Sequence, residues 1–329
     1  RELRFKRVND LYGLKLMMLH KIINPLQETI NNFPNINIKN IKSNSKEVKK
    51  GDLFIAINGN IVDGNNFIDE AIELGASAII TSNRKMQEKA IPHIIVHDAR
   101  KTLSKVASNF YGDPSKELKV IGITGTNGKT TTASLIYSIL KNANVKVAQI
   151  GTLGIKGEKK LQSNSLTTPD ALTLQKTFSY LLKNNFTHVV MEVSSHSLSQ
   201  NRVDNIDFDI ALFTNLTSDH LDYHKDIESY FKAKSILFEM LRSDAIAIVN
   251  NSASFGKRIV KKCKAHHITY SAKNKSDIIF DNLKITTNGI NGSINIFDKN
   301  YKVKSGLIGD FNSENILAAV ACANFLKID

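Results

Sequence analysis

Residues 119–136 read Lys-Val-Ile-Gly-Ile-Thr, then Gly125-Thr126-Asn127-Gly128-Lys129-Thr130-Thr131, then Thr132-Ala133-Ser134-Leu135-Ile136. A β-branched apolar run, a glycine loop and a helical run in that order predict a strand, a tight turn and a helix. Glycines let backbone N–H groups turn towards phosphate oxygens, and the helix N-terminus adds a partial positive charge there. Lys129 would reach the terminal phosphates of ATP, and the Thr130 hydroxyl would ligate magnesium. The general form of such a loop has a glycine where Ile123 stands, so this is a shortened variant. A turn that merely joins strand to helix is the alternative, against which the Lys-Thr pair and its context argue.

The chain around the loop alternates strands with helices. Leu53 to Ile57 predict a buried strand ended by Asn58-Gly59-Asn60; Phe67, Ile68, Ala71, Ile72 and Leu74 recur at helical spacing up to Gly75; Ala78 to Thr81 predict another strand. A helix over 100–111 leads through Gly112, Asp113 and Pro114 into the strand before the loop. Strands at 145–150, 188–193, 210–213 and 245–249 alternate with helices, the pattern of a mostly parallel sheet with crossover helices. Between 278 and 303, short runs punctuated by Asn288-Gly289 and Asn291-Gly292 predict antiparallel hairpins. The expected class is α/β, with a small N-terminal domain over 21–98 and a central nucleotide-binding domain over 99–329. Residues 1–20 show no clear period and are set apart as an extension without a role.

Composition excludes several classes. Two distant cysteines, Cys263 and Cys322, supply neither a disulfide framework nor a Cys-rich zinc site and fit a reducing cytoplasm. No apolar run approaches a membrane span, so no membrane partner is expected. The net charge of +13 suits phosphate-bearing ligands. Its lysines are dispersed rather than gathered into a stripe with aromatics, so nucleic acid is not an expected partner.

Glu192 follows the apolar residues Val189, Val190 and Met191, which puts a carboxylate at the sheet's C-terminal edge, where α/β folds bind ligands. A magnesium ligand opposite the phosphate loop and a cap of the next turn are both open. His220 and His224 lie four apart after the strand 210–213; zinc would need both on one helix face, and the glutamate of a zinc-protease motif is missing. His220 reads better as a magnesium-site ligand and His224 as a satisfied surface histidine. Lys234, inside a helix over 227–241, reads on physics alone as a snorkelling surface group. Asn312 and Asn315, in Gly309-Asp310-Phe311-Asn312-Ser313-Glu314-Asn315, open an apolar helix, so one of them could serve as its N-cap.

The string Gly-Thr-Asn-Gly-Lys-Thr over 125–130 resembles the phosphate loop of the superfamily of Mur ligases and folylpolyglutamate synthetases, which use ATP to join an amine to a carboxylate. Over about 38–329 the chain is most similar to the MurE type of the Mur ligase family. The resemblance implies ATP contacts from Gly125, Thr126, Asn127, Gly128, Lys129, Thr130 and Thr131, with Asn312 and Asn315 at the adenine. It implies a carbamylated Lys234, an N6-carboxylysine, since family members carry the Asp219-His220-Leu221-Asp222-Tyr223-His224 segment before such a helix. Thr130 and Glu192 would then support one Mg2+, and His220 with Lys234 the other. Lys129, His220 and Lys234 are the implied catalytic residues. Ser45, within an opening where Asn44 and Lys46 replace the commoner Asp and Arg, is implied to meet the uridine nucleotide, as are Asn60, Ile61 and Val62. Thr167, Thr168, Ser194, Gln200 and Arg202 match residues that hold the muramoyl-dipeptide.

The implied reaction adds a third amino acid, with meso-diaminopimelate preferred as the common one, to UDP-N-acetylmuramoyl-L-alanyl-D-glutamate through an acyl phosphate. ATP, the muramoyl-dipeptide and a diamino acid are the implied partners, and a monomer is expected. The third, Rossmann-like C-terminal domain of the family is expected to be absent from these residues, so the chain should bind nucleotides without completing the ligation. A folylpolyglutamate synthetase relative is the rival, opposed by the Ser-Ser-His-Ser-Leu-Ser-Gln-Asn-Arg-Val string over 194–203. A non-catalytic nucleotide-binding fragment is the other.

Overall fold

A computed structural model describes residues 16–23, 36–59, 62–85, 89–158, 160–162, 166–252 and 254–328. They divide into two units: one reaches to Pro114 and includes Asp170–Tyr180 and Asn201–Asn205, and the other takes Ser115–Pro169, Leu181–Gln200 and the residues from Ile206.

In the first unit, β1 (Met17–Met18) pairs antiparallel with β2 (Asn37–Ile38) beside helix α1 (Leu19–Ile23). Strands β3 (Ile41–Lys42), β4 (Leu53–Ala56), β5 (Ala78–Thr81) and β6 (His93–Ile95) form a parallel sheet in that order. The period of two decides what covers each face. Leu53, Ile55, Ala78 and Ile80 join a core with Leu103, Val106 and Phe110 of α3 (Ala99–Tyr111), while Phe54, Ala56 and Ile79 pack with Ile68 and Ala71 of α2 (Ile68–Glu73). Each buried aliphatic side chain contributes roughly 1.5–3 kcal/mol. Helix α3 starts where the Asp98 carboxylate accepts from the Arg100 and Lys101 amides and ends at Gly112, whose φ of 81° an L-residue adopts only with strain.

Two expected boundaries move. Because α3 supplies the first unit's core, the division falls after Pro114 rather than at 98. Leu19 is fully buried in the same core, so residues 16–20 belong to the fold rather than to an extension; residues 1–15 lie outside the described residues.

The second unit is built on β7 (Lys119–Thr124), β8 (Val147–Gly151), β9 (Gly154–Lys156), β10 (Lys160–Gln162), β11 (His188–Glu192), β12 (Ile210–Phe213), β13 (Ile246–Asn250), β14 (His266–Ser271), β15 (Ile278–Thr286), β16 (Gly289–Ile296) and β17 (Lys299–Ser305). Among the described residues they form one sheet ordered β10-β9-β8-β11-β7-β12-β13-β14-β15-β16-β17. From β8 to β15 the neighbours are parallel; β9, β10, β16 and β17 add antiparallel margins. Its helices are α4 (Lys129–Asn142), the last residues of α5 (Ala171–Lys183), which belongs to the first unit up to Tyr180, α6 (Ser195–Ser199), α7 (Leu221–His224), α8 (Ile227–Glu239), α9 (Ser254–Lys262) and α10 (Phe311–Phe325). Ile121 and Ile123 of β7 pack with Ile136 and Leu140 of α4 and with Leu317 of α10. On the opposite face Gly122 meets the Phe208 ring and Leu237 of α8, leaving no room for a Cβ.

One hairpin turn is not where an Asn-Gly pair suggested. The first turn, Thr287-Asn288, adjoins Gly289 as expected, but Asn291-Gly292 lies inside β16 and the second turn is Phe297-Asp298, at φ 45° and 67°. Gly292 faces the register irregularity of β15 between Asp281 and Lys284, where its Cβ would come 3.2 Å from the Asn282 carbonyl oxygen. That glycine accommodates a bulge, not a reversal.

Candidate active site

The parallel strands bring the ends of β7, β8, β11 and β12 to one edge of the second unit. The glycine loop leaves β7 there. Its shape is fixed from β12: the Thr126 amide donates to the Asn215 carbonyl at 2.9 Å, the Asn127 amide to Asn215 Oδ1 at 2.9 Å, and Thr214 Oγ1 to the Asn127 carbonyl at 2.6 Å. Gly128, at φ 86°, opens α4, and a Cβ on it would overlap Asn315 Oδ1.

Two lysines converge on this loop. Lys129 Nζ donates to the carbonyls of Gly125 at 2.9 Å and Thr126 at 2.8 Å, and Lys234 Nζ donates to the same Gly125 carbonyl at 2.8 Å. Lys234 is 1% exposed, so the snorkelling reading fails; its side chain ends over the Tyr230 ring, 4.3 Å from the centroid. Burial, and then the charge of Lys129, hold the Lys234 amine well below the ordinary lysine range; burial also lowers Lys129, with Glu192 and Asp219 opposing.

Glu192 is fully buried at the end of β11 and collects three donors. Thr130 Oγ1 donates to Oε2 at 2.8 Å, the Thr152 amide to Oε1 at 3.0 Å and Thr152 Oγ1 to Oε2 at 3.2 Å. Gly151 has no space for a Cβ against this carboxylate. Thr152 was missed in the sequence, although the Gly151-Thr152-Leu153-Gly154 turn at a strand's C-terminal end was its signal. Thr167 reaches the same cluster through a 3.2 Å contact between the Thr152 and Thr167 hydroxyls. Thr168 is buried, donating to the Glu192 carbonyl at 2.9 Å and accepting from the Ser194 amide at 3.0 Å, and Ser194 Oγ caps α6 by accepting from the Ser197 amide. Both hydroxyls therefore brace the end of β11.

Downstream lies a nest of rings. His196 stands edge-on to His220 at 5.2 Å and against Tyr223 at 4.1 Å, and the Tyr230 ring neighbours both His220, at 6.1 Å, and the Lys234 amine. His220 is half exposed, at φ 52°, with Nε2 3.7 Å from Asp219. His224 is not on the surface: it is 6% exposed, its Nε2 pairs with Ser195 Oγ at 2.8 Å, and burial keeps it on the neutral side. Among the described residues no cluster of three or more His, Cys, Asp and Glu side chains is arranged to hold a metal. Gln200 donates to the Tyr223 hydroxyl at 3.3 Å.

Beyond the loop, towards β13 and β14, opens a cavity of about 600 Å³ lined by Gly128, Thr131, Asn250, Phe311, Glu314 and Asn315 among others. Asn315 faces it, while Asn312 stands behind, donating to the Ile308 carbonyl at 2.8 Å and accepting from Asn315 Nδ2 at 2.9 Å. Asp310 caps α10, so neither asparagine is needed for that role.

Ser45, Val62 and Arg202 belong to the first unit. Ser45 is buried in a short 3-10 turn capped by Asn44, Val62 is 54% exposed, and Asn60 and Ile61 lie outside the described residues.

Two family descriptions match the chain: "Mur ligase middle domain" over residues 123–323 and "Mur ligase family, catalytic domain" over 37–111. A Listeria monocytogenes protein named UDP-N-acetylmuramoyl-L-alanyl-D-glutamate--2,6-diaminopimelate ligase is 41% identical over 299 residues, covering 89% of this chain and 60% of the relative. An Aquifex aeolicus protein of the same name is 45% identical over 292 residues, with the same coverage. A solved structure of a ligase so named superposes with a TM-score of 0.84 at 27% identity, covering 96% of this chain and 65% of that one. The chain thus spans about 60% of the length of these two curated relatives.

Proposed function

The chain belongs to the Mur ligase family, and on that premise we propose that it works at the step that adds the third amino acid to UDP-N-acetylmuramoyl-L-alanyl-D-glutamate. Similarity to relatives named for that step supports the substrate, and their names carry diaminopimelate to this chain as the proposed amine. The observation that carries the chemistry is the meeting of Lys129, Thr130, Glu192 and Lys234 around the Gly125 carbonyl and the start of α4.

In this reading the dipeptide carboxylate attacks the γ-phosphorus of ATP, ADP leaves, and the diamino acid's amine displaces phosphate from the acyl carbon. Lys129 exchanges its two loop carbonyls for phosphate oxygens, following the charge on the transferring group. Backbone amides of the loop fix the phosphates at the N-terminus of α4. The donor set suits magnesium: a hydroxyl from Thr130 and a carboxylate from Glu192, few protein ligands beside phosphate oxygens. Bound there, the ion would neutralise phosphate charge. Lys234 fits carbamylation because burial favours its neutral amine, the form that adds carbon dioxide; the resulting carbamate would supply an anionic oxygen, and His220 an imidazole nitrogen, for a second magnesium ion. Ser45, Asn60, Ile61, Val62, Thr167, Gln200 and Arg202 are proposed to hold the nucleotide sugar and dipeptide. No helix among the described residues is long and apolar enough to cross a membrane; a cytoplasmic location belongs to the same proposal.

Trapping with hydroxylamine tests the phosphoryl step. With ATP, magnesium chloride and the muramoyl-dipeptide, the wild-type chain should yield the dipeptide hydroxamate and Lys129→Ala should not. ATP cleavage that ignores the dipeptide and yields no hydroxamate would sink the reading.

A further inference from the structure

Sequence resemblance placed adenine recognition on Asn312 and Asn315, yet Asn312 does not line the cavity beside the phosphate loop, and Asn315 already spends one donor on Asn312 and accepts from Thr132 Oγ1 at 3.2 Å. The acidic side chain between them faces that cavity instead. Glu314 is largely enclosed, and its two oxygens are not equivalent. Oε1 accepts from Ser252 Oγ at 2.6 Å and from the Ala272 amide at 3.1 Å, so β13 and β14 fix the carboxylate's orientation. Oε2 receives only a long 3.4 Å contact from Asn250 Nδ2, which leaves it acceptor capacity on the cavity side. Phe311, which also lines the cavity, keeps 66% of its surface exposed, so its ring has room for a flat base.

We propose that Glu314 is the base-specificity residue of the nucleotide site, its Oε2 accepting from an exocyclic amino group such as the 6-amino group of adenine, while Phe311 stacks on the ring without discriminating. The inference rests on the ATP reading above. A fixed acceptor favours a base with an amino group at that position and opposes one with a carbonyl there, because two acceptors would face each other unpaired. Stacking favours every purine alike.

Glu314→Gln makes the test sharp. The two donors on Oε1 will hold the amide oxygen in that place, turning the Gln NH2 towards the cavity and replacing an acceptor with a donor. Titrating ATP and inosine triphosphate, each with magnesium chloride, into the full chain should show wild type favouring ATP by about tenfold or more. Glu314→Gln should bring the ratio to about one or invert it, and Phe311→Ala should weaken both nucleotides with the ratio unchanged. Equal binding of the two by wild type, or an unchanged ratio in Glu314→Gln while ATP still binds, overturns the role of Glu314. If wild type binds neither nucleotide, the ATP site itself falls and takes this inference with it.

Discussion

Lys234 shows how burial converts a common residue into a special one. A lysine amine buried against Tyr230, with Lys129 close by, is held well below its ordinary 10.5. The unfolded chain therefore binds more protons than the folded one between that lowered value and 10.5, and stability rises with pH across the window. Below it the cost of burying the charge is fully present. Lys234→Met, which keeps the apolar stem, should therefore melt higher than wild type at pH 7 in carbon-dioxide-free buffer, with the gap closing towards pH 10.5; a gap that does not change with pH would show that the lysine is not held as described. Glu192 carries a different prediction. Glu192→Gln keeps the volume and can keep hydrogen bonds to Thr152 and Thr130 but loses the charge, so ATP affinity in magnesium should fall by at least about tenfold, with little change in its absence. Equal losses with and without the ion would mean that Glu192 is only a brace.

Among the elements, α10 joins the site to the core. Its Leu317, Ala318, Ala321 and Cys322 are buried against α4 and the sheet, while its first turn presents Phe311, Glu314 and Asn315 to the cavity. Leu317→Ala should cost about 2–5 kcal/mol in denaturant unfolding, and a cost below about 1 kcal/mol would show that this helix is not packed as described. Local patterns made much of this legible. The strand, loop and helix over 119–142 follow from apolar run, glycines and helical period alone, and the strands at 78–81 and 210–213 fall where expected. The reading failed where a tertiary partner decides. Nothing local marks Asn291-Gly292 as facing a bulge, or His224 as lying under Tyr230 rather than in water. Lys234 and Thr152 were invisible to spacing for the same reason: their partners, Gly125 and Glu192, are distant in the chain. Asn312 and Asn315 do open an apolar helix, as its pattern suggests, but nothing local marks their neighbour Glu314 as facing the cavity.

On the scale of the whole molecule, the proposed function assigns the phosphates of ATP to the second unit and the uridine nucleotide to the first, whose segment around Ser45 resembles such a site. The chain spans about 60% of its relatives' length, so ligand binding tests the assignment more directly than complete ligation does. Excess lysine and arginine, giving a net charge of +13, favour both phosphorylated ligands alike and cannot distinguish a Mur substrate from any other anion. Discrimination must come from the muramoyl-dipeptide end. The decisive measurement is a calorimetric titration of the chain with UDP-N-acetylmuramoyl-L-alanyl-D-glutamate, with uridine diphosphate and a folate as controls. Saturable binding, tighter than that of uridine diphosphate and absent for the folate, is the predicted result; a chain that binds ATP but shows no heat with the muramoyl-dipeptide would contradict the assignment.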